Sequence, residues 1–130
     1  MKRILLFLLL LASPMAAQDS DPDLLAAYRE YNAKWFKGKL EEPATIAWDD
    51  TKGYIAHTRF YDNEVDGVKF EVYLSKFYLG ECDTCARIYL LHEMVHVALG
   101  HHHKCAESHC KHFQDGMRKL ANRGALKELW

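Results

Sequence analysis

One run constrains this chain more than any other: Leu90-Leu91-His92-Glu93-Met94-Val95-His96-Val97-Ala98-Leu99, an apolar stretch carrying H-E-x-x-H. A helix stacks residues four apart on one face, so His92 and His96 can reach a single tetrahedral zinc ion. Glu93 follows His92 by one residue, about 100° round the helix axis. From there its carboxylate cannot join the ligands, but it can take a proton from a water at the metal, which is the general-base position of a metallopeptidase. The apolar flanks Leu90, Leu91, Val95, Val97 and Ala98 predict a buried helix, as a site that limits water requires. Two surface histidines spaced by chance would have neither these flanks nor the histidines that follow downstream.

A chain of 130 residues has room for one domain. Its first part reads as something else. Met1-Lys2-Arg3, an apolar run from Ile4 to Ala12, no acidic residue before Asp19 and small residues at Ala16 and Ala17 predict a signal peptide over 1–17. The domain is then 18–130. The apolar run is shorter than the ~20 residues of a membrane span, so no stable membrane anchor is expected once it is removed, although an uncleaved anchor is the alternative. Without Lys2 and Arg3, the 17 Lys and Arg fall to 15 against 18 Asp and Glu, a net charge of −3. That balance gives no reason to expect a nucleic-acid partner.

Export, secreted or periplasmic, changes how the cysteines read. In an oxidising compartment Cys82, Cys85, Cys105 and Cys110 predict two disulfides, with a four-thiolate structural zinc site as the rival. The central helix separates the two pairs by roughly 20 Å, which favours the local pairings Cys82–Cys85 and Cys105–Cys110.

Asp21-Pro22-Asp23 is a helix start, with Asp21 as N-cap and Pro22 at the first helical position. Leu24, Tyr28, Tyr31 and Trp35 recur at helical spacing until Gly38 stops the helix. Strands are expected over Thr45–Trp48, Tyr54–Tyr61 and Lys69–Ser75, the last with clear alternation. Asp62-Asn63-Glu64 and Asp66-Gly67 make the turn between the second and third. The central helix should have its N-cap at Asp83 or Thr84 and end at Gly100, and a last amphipathic helix should run from about Ser108 to Asn122 with Gly124 as its stop. Leu126, Leu129 and Trp130 are expected to pack back on the domain. The fold class predicted is α+β, zincin-like: an N-terminal helix, a small antiparallel three-stranded sheet, the H-E-x-x-H helix and a C-terminal helix.

A catalytic zinc has three protein ligands, so a third must come from elsewhere. His102 lies ten residues after His92, as in H-E-x-x-H-x-x-G-x-x-H, but position 99 is Leu where that pattern has Gly. Glu107 and Glu128 are carboxylate candidates. His109, at the expected start of the last helix in His109-Cys110-Lys111-His112-Phe113, is the remaining source, with His112 one turn beyond it.

The chain resembles the SprT-like zinc metallopeptidases. Their N-x-x-x-F-x-G-x-L pattern is matched by Asn32, Phe36, Gly38 and Leu40. Ile46-Ala47-Trp48, Gly53 and Val72-Tyr73-Leu74-Ser75 correspond to their strands and a glycine, and Leu90 to His96 matches L-L-H-E-M-x-H. Their H-G-x-x-F is matched by His109, Lys111, His112 and Phe113, with Cys110 where the family has Gly. The resemblance covers about residues 24–121 and implies His92, His96 and His109 as ligands and Glu93 as the catalytic base. Family members that cleave proteins crosslinked to DNA are intracellular, so for an exported chain that role is not carried over.

The function expected is a secreted zinc-dependent endopeptidase acting on a protein or peptide. An extended substrate would add to the strand around Val72–Ser75. For the oxyanion the residues offer Tyr54, His57, Tyr61, Tyr73, Tyr78 and Tyr89 and do not choose. Seven of the eight histidines lie between His92 and His112, so non-enzymatic zinc binding or buffering is the alternative. An inactive protease-like domain that docks peptides is a third reading. Glu93 discriminates, because holding a metal does not need an acid there.

Overall fold

Asp21 opens the first helix, α1 (Pro22–Trp35). Its carboxylate accepts hydrogen bonds from the backbone N–H groups of Asp23 and Leu24 at 3.0 and 2.9 Å, and Pro22 begins the helix. The computed structural model describes residues 19–101, 104–105 and 108–127. The expected signal peptide, His102, His103, Glu107, Glu128 and the Leu129–Trp130 tail lie outside them. One face of α1 buries Leu24, Leu25, Tyr28, Tyr31 and Trp35. The helix stop is built from the N-x-x-x-F-x-G-x-L spacing itself. Gly38, at φ 69°, sends its N–H to the Asn32 carbonyl at 2.8 Å. The Asn32 side chain then donates to the Leu40 carbonyl and accepts from the Leu40 N–H, at 2.8 and 3.0 Å, which holds the departing chain against the helix.

Three strands follow: β1 (Thr45–Asp49), β2 (Ala56–Asn63) and β3 (Gly67–Ser75). The sheet is mixed, not antiparallel throughout as expected. Its order is β1-β3-β2, with β1 parallel to β3 and β2 antiparallel to it. The hairpin is as the turn residues predict: Asn63 Oδ1 accepts from the N–H of Val65 at 3.0 Å, and Gly67 takes φ 76°. What alternation cannot reveal is that the chain after β1 passes over the end of β3 to start β2 on its far side. Ser75, fully buried, ties that crossing down: its hydroxyl donates to the Thr51 carbonyl at 2.6 Å and its N–H to the Ile55 carbonyl at 2.8 Å. The strand expected to be an edge, around Val72–Ser75, is therefore the centre of the sheet, with both of its backbone edges paired.

Register places Ile46, Val72 and Thr58 side by side on one face, with Phe70 and Leu74 flanking Val72 on its own strand. This is the face turned to the helices, and all five side chains are buried. The other face is polar and carries the Arg59–Glu71 ion pair at 2.9 Å. A short helix that the sequence pattern did not predict, α2 (Lys76–Leu79), leads into α3 (Asp83–Leu99). The N-cap of α3 is Cys82, whose sulfur accepts from the Cys85 N–H at 3.1 Å, rather than Asp83 or Thr84. Gly100 ends the helix at φ 75°, its N–H shared between the carbonyls of His96 and Val97.

The last helix, α4 (Lys111–Asn122), begins three residues later than expected, because Cys110 is its N-cap and is bonded to Cys105. Both predicted disulfides, Cys82–Cys85 and Cys105–Cys110, are present and no cysteine is free. The pairing uses all four sulfurs, which leaves none for the rival four-thiolate site. No described helix is long and apolar enough to cross a membrane.

α4 lies close on α3. A Cβ on Gly116 would stand 2.8 Å from a methyl of the buried Val95. Gly116→Ala is therefore expected to destabilise the protein despite a helix-propensity gain of about 1 kcal/mol, because overpacking a core costs about 1–3 kcal/mol. A thermal melt decides: a melting temperature equal to or above wild type would show that Val95 yields without cost.

Candidate metal centre

His92 and His96 project from α3 one turn apart, with ring centroids 5.2 Å from each other. His109 comes to them from a different part of the chain. It lies outside any helix or strand, directly before Cys110, the extended N-cap of α4, and is not on the helix as expected. Its position is fixed from both sides: the Cys105–Cys110 bond closes the loop around it, and the Gln114 side chain donates to its carbonyl at 2.9 Å. The three imidazoles offer nitrogens that all lie within 4.8 Å of one another, and Nε2 of His92 and Nε2 of His109 are 2.9 Å apart.

Phe113, in the first turn of α4, is the surface on which this cluster rests. Its ring lies 4.4 Å from that of His96, nearly parallel, and 4.7 Å from those of His92 and His109. An apolar ring beneath three imidazoles limits their rotation and excludes water from one side. The spacing His109-x-x-x-Phe113 was legible as a pattern; its role as a platform was not.

The donor set fits a metal ion. Zinc–nitrogen bonds of about 2.0–2.1 Å place two imidazole nitrogens of a tetrahedral site roughly 3.3 Å apart, a spacing that small ring rotations reach from the 2.9 Å between His92 and His109 with all three donors within 4.8 Å. Burial, followed by the neighbouring His109 and His96, pushes the His92 imidazole down to about 4, so it is neutral and able to bind metal across the physiological range. His112, the fallback ligand, does not join. It stands with Cys105 and Cys110, whose sulfurs are bonded to each other.

Glu93 is the other half of the site. It is 4% exposed, and its Oε2 accepts a hydrogen bond from the Thr58 hydroxyl on β2 at 2.6 Å. Burial pushes its carboxyl up to about 7, against the downward pull of that hydrogen bond. The free chain titrates this group near 4.5, so the metal-free fold binds an extra proton between the two values. The stability this contributes is full below about pH 4.5 and is lost as pH rises through about 7. Glu93→Gln carries no charge at any pH. In metal-free protein its stability relative to wild type should thus grow on the order of 2–3 kcal/mol from about pH 5 to about pH 8. The opposite trend of His92 is common to both proteins and cancels. Denaturant titrations with chelator present would measure it, and an equal gap at the two pH values would mean that Glu93 is not held in a dry environment.

No protein-family model matches this chain, and neither do any curated protein or solved structure. What the site can do is thus argued from its own residues.

Among the six oxyanion candidates, only Tyr89 stands beside the histidine cluster, its ring 6.0 Å from that of His92. Tyr54 donates to Asp49, Tyr78 to the Lys52 carbonyl, and His57 packs against Tyr54. Tyr61 and Tyr73 lie in register next to, respectively, Lys69 and His57 on the polar face of the sheet. The residue that sequence reasoning missed is Thr58. Nothing marks one threonine in a strand except that its alternation places it on the helix side.

Proposed function

We propose that this chain is a zinc-dependent endopeptidase of the SprT-like kind, acting in a secreted or periplasmic setting, with His92, His96 and His109 holding the metal and Glu93 as general base. One observation carries the reading: a buried carboxylate directly follows, on α3, the first of three converging imidazoles without belonging to the set that could hold the ion. A protein that only stores metal needs no such group.

Zinc bound there would supply Lewis acidity, lowering the pKa of a water and polarising a peptide carbonyl. The chain's own residues do the remainder. Glu93 takes the water's proton and can pass it to the leaving nitrogen. Tyr89, whose ring lies 6.0 Å from that of His92, would donate to the carbonyl oxygen as charge develops on it. Phe113 and the Cys105–Cys110 bond keep His109 in place through the cycle.

The substrate path is revised from β3 to β2. β2 pairs with β3 on one side alone among the described strands, and its Thr58 touches Glu93, so an extended peptide adding to its outer edge would pass the base. A cleft of about 1100 Å³ continues in that direction. Phe60, two residues along β2 from Thr58, and Val97, one turn along α3 from Glu93, both line it, with Phe70 and Leu40. Lys39, Glu41, Glu42 and Lys69 share its lining, which does not include Glu93 or the three histidines, so it would take a substrate side chain of mixed character beyond the metal-binding group. The two disulfides suit an oxidising compartment, and neither the charge nor the site gives a role to nucleic acid.

The test is zinc-loaded protein and its Glu93→Gln variant, each incubated with an unfolded protein substrate and each analysed for metal. Cleavage by the first and not the second supports the endopeptidase. Metal in both with cleavage by neither favours zinc buffering.

A further inference from the structure

We infer that Thr58 is the positioning residue of this site: its hydroxyl clamps one oxygen of Glu93 and so aims the other at the metal-bearing face of α3. The inference rests on the reading of Glu93 as general base and adds what makes that base effective. The contact joins residues 35 apart in sequence and both are buried, Thr58 at 6% and Glu93 at 4% exposure. Among the described residues Thr58 is the single side chain that donates to this carboxylate, and it does so at 2.6 Å, to Oε2. A glutamate has three side-chain torsions, and a buried one with no donor would have neither a fixed direction nor compensation for its lost hydration.

The strand makes the clamp stiff. Thr58 is paired with Val72 on the central strand, and its neighbours on the same face, Ala56 and Phe60, pair with Leu74 and Phe70. A β-branched side chain in such a ladder has few rotamers open to it, so the hydroxyl is held by backbone register and not by its own torsion alone. The same strand has an edge that pairs with no other described strand, along which an extended chain could add. One element would then set both the register of the substrate and the direction of the base.

The experiment uses Thr58→Val, which keeps shape and strand preference but removes the donor, and Thr58→Ser, which keeps the donor. With the zinc-loaded protein and an unfolded protein substrate, Thr58→Val should lose roughly 10–100-fold in kcat with KM within about twofold and zinc content unchanged. Thr58→Ser should recover most of the loss. A second readout needs no turnover: in protein carrying isotope-labelled glutamate, the carboxylate infrared band assigned by subtraction of Glu93→Gln should shift in Thr58→Val and return in Thr58→Ser. If Thr58→Val does not fold, Thr58→Ala takes its place in both measurements. Wild-type kcat in the variant lacking the hydroxyl, or a band that does not move, overturns the clamp while leaving Glu93 as base. Equal losses in Thr58→Val and Thr58→Ser with loss of zinc would make the residue merely structural and also overturn it. Hydrolysis that survives Glu93→Gln in wild-type background overturns the reading of the base, and with it the clamp's purpose, and is seen without any change at Thr58.

Discussion

Glu93→Gln is expected to keep about one zinc per chain while hydrolysis falls by three or more orders of magnitude. The amide has the carboxylate's shape, and its oxygen can still accept the Thr58 hydrogen bond that now ends on Oε2. What it lacks is basicity. General-base transfer alone is worth about 10²–10⁴-fold, and a group that both takes the proton from water and delivers it to the leaving nitrogen is used twice in each turnover. The ligands are untouched by the change, because Glu93 lies about 100° round α3 from His92 and stands outside the set His92, His96 and His109. Metal analysis with a cleavage assay measures both halves. Loss of zinc in Glu93→Gln would mean that the carboxylate supports the ligands instead of the water, and residual cleavage near wild type would move the base elsewhere.

The parts of this molecule that follow a short-range rule were readable in its residues. Asp21-Pro22 capped α1, Gly100 ended α3, and the i,i+4 step brought His92 and His96 together, each because the partners are a turn apart. The local disulfides followed from the same kind of argument, since neither pair has to cross the length of α3. What escaped is what long-range packing decides. Alternation in β3 identifies a strand but is silent on whether β1 or β2 lies beside it, and here both do. Alternation therefore suggests an edge at β3 where the structure has the centre of the sheet. Thr58 is invisible for the same reason: its partner Glu93 is on another element, and only the pairing of β2 with β3 turns its hydroxyl toward α3. His109 is an intermediate case. A histidine before a helix with Phe113 four residues on is a pattern, but that it lies outside the helix, next to the disulfide-bonded N-cap Cys110, is a property of the folded loop.

Replacing the ligands should separate the two sources of the third histidine. His92→Ala, His96→Ala and His109→Ala are each expected to reduce zinc occupancy sharply, with affinity falling at least 100-fold, because a site with two imidazoles leaves the ion without one of the three protein bonds that a catalytic zinc has. His112→Ala should retain the metal, since its ring stands with the bonded pair Cys105 and Cys110 and not with His92 and His96. His102→Ala should retain it as well if the SprT-like assignment is right. The histidines are not equal in what else they do. His96 is buried and stacked on Phe113, so its removal opens a gap in the α3–α4 contact and should also lower the melting temperature of the metal-free protein. His109 is exposed and sits outside any helix, so His109→Ala should leave the metal-free melting temperature near wild type while the metal is lost. That contrast, read by metal titration and by melts with chelator present, distinguishes a ligand from a packing residue. Zinc retained in His109→Ala and lost in His102→Ala would return the third ligand to the position ten residues after His92 and overturn the family reading.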